Sequence, residues 1–174
     1  MSDPRYPIGP FTHAGPLDDA ARAAAIEAIE NLPLELRKAV RGLSDAQLST
    51  PYRDGGWTLR QVVNHVADSH VNAYCRFRLA LTEDNPTIRP YEEQLWANLP
   101  DGAGGPIGIS LALLDALHAR LGLLLRSLQP ADFDRTFVHP ASGPHDLHWL
   151  LACYAWHGAH HTAHVTALRA ARGW

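Results

Sequence analysis

Residues 146–171 read DLHWLLACYAWHGAHHTAHVTALRAA, a proline-free stretch that decides the architecture of the chain. Leu150, Tyr154 and Leu168 recur at helical spacing and mark the side that faces a core. At 100° per residue, His157, His160, His161 and His164 point to about 0°, 300°, 40° and 340°, an arc of about 100°. The arc holds Cys153 one turn earlier and continues the core-facing line, so the imidazoles point inward or to its edge. A helix whose inner side carries four imidazoles needs other helices to enclose it.

Those helices are legible outward from this one. Ser110 can cap a helix whose apolar set is Leu111, Leu114, Leu117, Leu121, Leu124, Leu125 and Leu128, and Pro130 ends it. Thr58 followed by Gln61 forms a capping box, and the helix it opens should run to about Thr82 on the stripe Leu59, Val62, Val66, Ala73, Phe77 and Ala80. A first helix starts at Asp18. Pro33 should stop it and begin another that ends near Gly42. A turn or short capped helix is expected at Ser44–Gln47 and a short helix at Glu92–Leu99, and residues 133–145 look irregular. Residues 1–17, with four Pro and two Gly, read as an extended arm. No convincing strand or repeat appears. The expectation is all-α: one domain over 1–174, built as an antiparallel four-helix bundle with an N-terminal arm.

Composition narrows the functional classes. The chain has 174 residues, 46% hydrophobic and 19% charged, with a formal net charge of −3. This is a globular balance, and it offers no basic footprint for nucleic acid. No uninterrupted apolar run approaches the roughly 18 residues of a membrane helix, and the first residues lack a secretory pattern. Two cysteines, Cys75 and Cys153, make no disulfide framework and fit a reduced, cytoplasmic compartment. Eleven histidines are the unusual number.

Four imidazoles on one inner arc are costly to bury unpaired, because helix backbone groups are already bonded; a metal removes that difficulty. His157/His161 and His160/His164 both have the i, i+4 spacing that offers two ligands to one ion. The third ligand must come from another helix, where His65 and His70 are candidates, and spacing leaves both choices open. Asp68 is placed to hold a ligand imidazole. His13, His139, His145 and His148 are expected to be exposed, and His118 to lie at the core edge. Arg60 and Arg89 are candidate anion holders, and Tyr91 and Trp57 candidate pocket walls. The dinucleotide, P-loop, zincin and nucleophile-elbow motifs are absent.

The run Pro51–His70, PYRDGGWTLRQVVNHVADSH, resembles the YfiT branch of the DinB/YfiT-like superfamily, as do Phe77–Glu83, Ile88–Tyr91, Ser110–His118 and Tyr154–His157. The similarity runs from Tyr6 to Trp174. It implies a four-helix bundle holding one divalent ion per subunit, zinc or nickel, on three histidines, and assigns these to His65, His160 and His164. Asn64 stands where some relatives carry a second His. The resemblance further implies a metal-dependent hydrolase with an open position for activated water, acting on a small molecule as a cytoplasmic homodimer. Two alternatives remain at this level. One is an S-transferase using a low-molecular-weight thiol such as bacillithiol or mycothiol. The other is a non-enzymatic metal-binding bundle, with His157 or Cys153 as a fourth ligand.

Overall fold

The computed structural model describes residues 3–174; the first two residues of the expected arm lie outside it. Four long helices make the bundle: α1 (Asp19–Val40), α3 (Leu59–Thr82), α6 (Ile107–Ser127) and α7 (Leu147–Arg172). Three short ones, α2 (Asp45–Leu48), α4 (Glu93–Ala97) and α5 (Pro100–Gly104), lie in the connections. α1 packs against α6 and α7, and α3 packs against the same two. Two of the expected caps form. Thr58 and Gln61 close a capping box on α3, Ser44 and Gln47 another on α2, and the Asp146 carboxylate accepts from Trp149 N–H to start α7.

The structure corrects the sequence reading in four places. Pro33 does not divide the first helix; α1 runs through it. A helical proline leaves the carbonyl four residues back without its N–H donor, here that of Ile29. His118 Nδ1 meets that carbonyl at 2.5 Å, and the Pro33 ring is buried, so the defect is filled from α6. Next, α6 starts at Ile107 rather than at a Ser110 cap; Ser110 Oγ instead donates to Asn64 Oδ1 at 2.7 Å. Third, the stretch read as irregular contains an antiparallel hairpin, β1 (Thr136–His139) with β2 (Gly143–Asp146), too short to show a period, with Phe137 as its buried anchor. Last, His148 is buried rather than exposed, because Leu17 N–H donates to its Nδ1 at 3.1 Å and ties the arm down.

The core comes in two parts. One gathers Ile29, Ala73, Phe77, Leu121, Leu150 and Tyr154; the other gathers Leu32, Val62, Val66, Leu114 and Val165. Between them, on three of the four long helices, lies a layer of buried or partly buried histidines: His65 and His70, His118, and His157 to His164. α6 is long and apolar enough to cross a membrane by composition alone, yet its Leu114, His118, Leu121 and Leu125 belong to this interior.

Candidate metal centre

The centre is built by a tight loop, the second turn of α3 and the middle of α7. In Pro51–Thr58, Tyr52 N–H donates to the Trp57 carbonyl at 3.1 Å and Gly56 N–H to the Arg53 carbonyl at 3.0 Å. Gly55 sits at φ +66°, a conformation that favours glycine. The reversal lays the Trp57 ring over His65, 4.5 Å between centroids, while Trp57 Nε1 donates to Gln94 Oε1 at 2.9 Å. The capping box behind it fixes where α3 begins, and so where His65 faces α7.

Opposite His65 stand His157 and His161, with ring centroids 5.3 and 4.8 Å away. One donor atom from each of these three residues lies within 4.8 Å of the others. A second group, His160, His161 and His164, meets the same criterion and shares His161. Among the described residues no such group unites His65 with both His160 and His164, the three assigned by resemblance. The reason is rotational. The 160/164 pair lies about 60° around α7 from the 157/161 pair, turned toward the N-terminal arm. There His164 Nε2 approaches the Arg5 carbonyl at 3.3 Å, the Tyr52 ring lies 4.1 Å from His164, and Trp156 stacks on His160 at 4.3 Å.

Electrostatics suit a cation-binding role. Burial pushes His65 down to about 4, and His157 and His161 well below the ordinary imidazole value; neighbouring imidazoles add to each shift. Burial, then His160, takes His164 down to about 4. These rings are therefore neutral at physiological pH, the form that ligates a metal. Among the described residues, no hydrogen bond engages either nitrogen of His65, and His160 Nδ1 is buried without a partner. By contrast, His157 Nδ1 lies 3.3 Å from His70 Nε2 and its Nε2 3.4 Å from Ser69 Oγ, and His161 Nδ1 lies 3.4 Å from His164 Nδ1. Neutral imidazoles of this kind from two helices fit a divalent ion.

Other sequence candidates fall outside the donor groups. Asp68 meets Asn72 through its backbone carbonyl, and its half-buried carboxyl is raised by burial. Arg60 pairs with Asp45 and the Gly105 carbonyl, and Arg89 is exposed. Tyr91 packs on Trp96 with its hydroxyl buried and unpartnered. Burial raises the Cys153 thiol to about 11, and Cys153 belongs to neither donor group. A cavity of about 210 Å³ lined by Tyr52, Arg53, Gly56, Trp57 and Gln94 adjoins the centre through Trp57, which overlies His65. A larger groove of about 360 Å³, lined by Ala155, Ala159 and Thr162, lies on the opposite face of α7.

Residues 28–165 match the model of the DinB superfamily. The chain belongs to that superfamily. It is 54% identical over 174 residues to a Bacillus mycoides (strain KBAB4) protein named "Putative metal-dependent hydrolase", and 53% identical to one of the same name from Bacillus cereus (strain B4264). Both alignments cover the whole of each chain. Among solved structures, YfiT from Bacillus subtilis superposes with a TM-score of 0.96 at 45% identity, covering 98% of each chain. That protein is described as a probable metal-dependent hydrolase with an unusual four-helix bundle topology. The four-helix bundle read from the sequence is thus the fold of this chain.

Proposed function

We propose that this chain is a metal-dependent hydrolase whose divalent ion is held by His65, His157 and His161. One observation carries the reading: three neutral imidazoles, from two packed helices, converge beneath Trp57 with donor atoms within 4.8 Å. The names of its full-length relatives support the same class. The assignment keeps His65 from the resemblance and takes the 157/161 pair because their donor atoms group with that of His65. The resemblance's set of His65, His160 and His164 is the second reading, supported by the influence of His160 and His164 on His65. Held by three protein ligands, such an ion keeps a coordination position for water or substrate and acts there as a Lewis acid. Within the chain, Trp57 roofs the centre and the adjoining cavity near Arg53 and Gln94 offers a small molecule its approach.

A homodimer in the cytoplasm belongs to the same proposal. Ile109, Leu113 and Leu123 leave an exposed apolar line along α6 that a second copy would cover, and sedimentation velocity measures this. The decisive assay sets zinc- or nickel-loaded protein, chelator-treated protein and the alanine variants of His65, His157 and His161 against an ester and amide panel. The expected result is turnover that follows bound metal and is lost in each variant. No hydrolysis, but thiol-dependent transfer onto an alkylating electrophile, would overturn the hydrolase reading in favour of the S-transferase.

A further inference from the structure

From His65 toward the C-terminal end of α3, one face carries Ser69, Asn72 and Arg76 at helical spacing. Ser69 Oγ lies 3.4 Å from His157 Nε2, and Arg76 Nη1 donates to Tyr154 Oη at 3.2 Å. Tyr91, in the connection before α4, joins them from a third side. Burial raises its phenol, the Ser69 hydroxyl lowers it, and Tyr154, Glu93 and Asp68 are close enough to act on it. Ser69, Tyr154, Tyr91 and Arg76 thus form a polar strip that starts beside the histidine centre and ends at a guanidinium.

The far end of the strip has unmet donors. Arg76 Nε and Tyr91 Oη are both buried and without a hydrogen-bond partner. Among the described residues Arg76 makes no ion pair, whereas Arg22, Arg37, Arg60 and Arg126 each pair with a carboxylate. Burial raises the Glu93 carboxyl and Arg76 pulls it back only in part, so this neighbour compensates the guanidinium weakly. A partly buried guanidinium with an unmade bond is costly, and an arriving oxyanion would satisfy the Nε–H and the phenol O–H together. The place is reachable, because Asn72, Arg76, Tyr91 and Cys153 all keep some exposure.

We propose that Arg76, with the Tyr91 hydroxyl, binds the carboxylate of a small-molecule substrate whose reacting group lies at the histidine centre. Tyr154 holds Nη1, which leaves the Nε–Nη2 edge, the planar fork that takes both oxygens of a carboxylate. A single guanidinium with Glu93 and Asp68 nearby suits a monoanion better than a phosphate dianion. Arg76 lies about 16 Å along the α3 axis from His65, and its long side chain leans back toward the helix N-terminus. The carboxylate is therefore set several bonds away from the group that reacts. The subsite rests on the metal-dependent reading of the centre but not on which α7 pair holds the ion, since His65 is common to both.

The test uses the full chain, metal-free and zinc-loaded, with monomethyl suberate, its neutral dimethyl ester and inorganic phosphate as probes. Calorimetric titration should show the mono-acid binding about 10- to 100-fold tighter than the diester, the size of a charge-assisted bond. The metal-free arm excludes a carboxylate that merely ligates zinc. In Arg76→Gln the preference should vanish, and Arg76→Lys, which keeps the charge but not the fork, should restore part of it. Tyr91→Phe should weaken the mono-acid alone. Arg78→Gln, an exposed change on the same helix, should alter neither ester. In the wild-type chain the Arg76 Nε–H resonance should move with the mono-acid and not with the diester, a readout that needs no variant. Equal affinity for the two esters, a preference kept by folded Arg76→Gln, or phosphate binding tighter than the mono-acid would each overturn the proposal. Binding is read without turnover, so failed hydrolysis counts against the function proposed above and not against the subsite. Loss of the preference with hydrolysis intact does the reverse.

Discussion

Zinc-induced stabilisation separates the two ways of drawing the centre. An ion that binds only the folded state stabilises it by RT ln(1 + [L]/Kd), about 2.7 kcal/mol at 100 times Kd. For a chain of 174 residues each kcal/mol moves Tm by about 2–4 °C, so zinc at that level should raise Tm by about 5–11 °C. His65→Ala or His157→Ala leaves two donors in the inner group and should remove most of that rise. His160→Ala and His164→Ala touch only the outer group, toward the arm, and should retain it. The readout is the increment on adding zinc, measured by differential scanning calorimetry on chelator-stripped protein. It therefore survives any change the variant makes to the metal-free Tm. A rise that disappears in His160→Ala and His164→Ala, persists in His157→Ala and still needs His65 would refute the geometric assignment and restore His65, His160 and His164.

Two further outcomes are expected. Above pH 6.5 His65 is neutral folded and unfolded; between 6.5 and about 4 only the unfolded chain takes up the proton, so metal-free protein loses stability as pH falls. His65 alone contributes a loss of about 3 kcal/mol by the foot of that window, and urea melts of stripped protein that stay flat across it would exclude the burial argument. Asn64→Ala deletes bonds from Nδ2 to the Asp101 and Gly102 carbonyls, at 3.1 and 2.9 Å, and the acceptor of Ser110. The expected cost is about 2–3 kcal/mol in the same melts with the zinc-induced increment unchanged, and an unaltered midpoint would show that these bonds do not hold α5 and α6 in place.

The parts of the centre that sequence conveyed well are those governed by local chemistry. Thr58 with Gln61 marks the start of α3 because a cap needs only its own next turn. The imidazole arc of α7 follows from helical angle alone. Which α7 pair faces His65 was harder to read, although a signal existed. Leu150, Tyr154, Val165 and Leu168 centre the buried face of α7 near His161 and His157, and the 160/164 pair lies off that centre. Spacing within one helix is blind to this, since both pairs are i, i+4. Pro33 misled for a related reason: its local rule says break, and the donor that overrides the rule arrives from α6, 85 residues along the chain.

The sequence by itself determined that four amphipathic helices would enclose a histidine-rich interior, because hydrophobic period, caps and turn residues are properties of short windows. The tertiary structure alone decided which imidazoles meet. Rotation about α7 sets His157 and His161 against His65, and the packing of α1 on α6 gives the carbonyl freed by Pro33 to His118. Coordination and hydrogen bonding are fixed by distances of a few ångströms between helices, and no periodicity along a single helix carries that information.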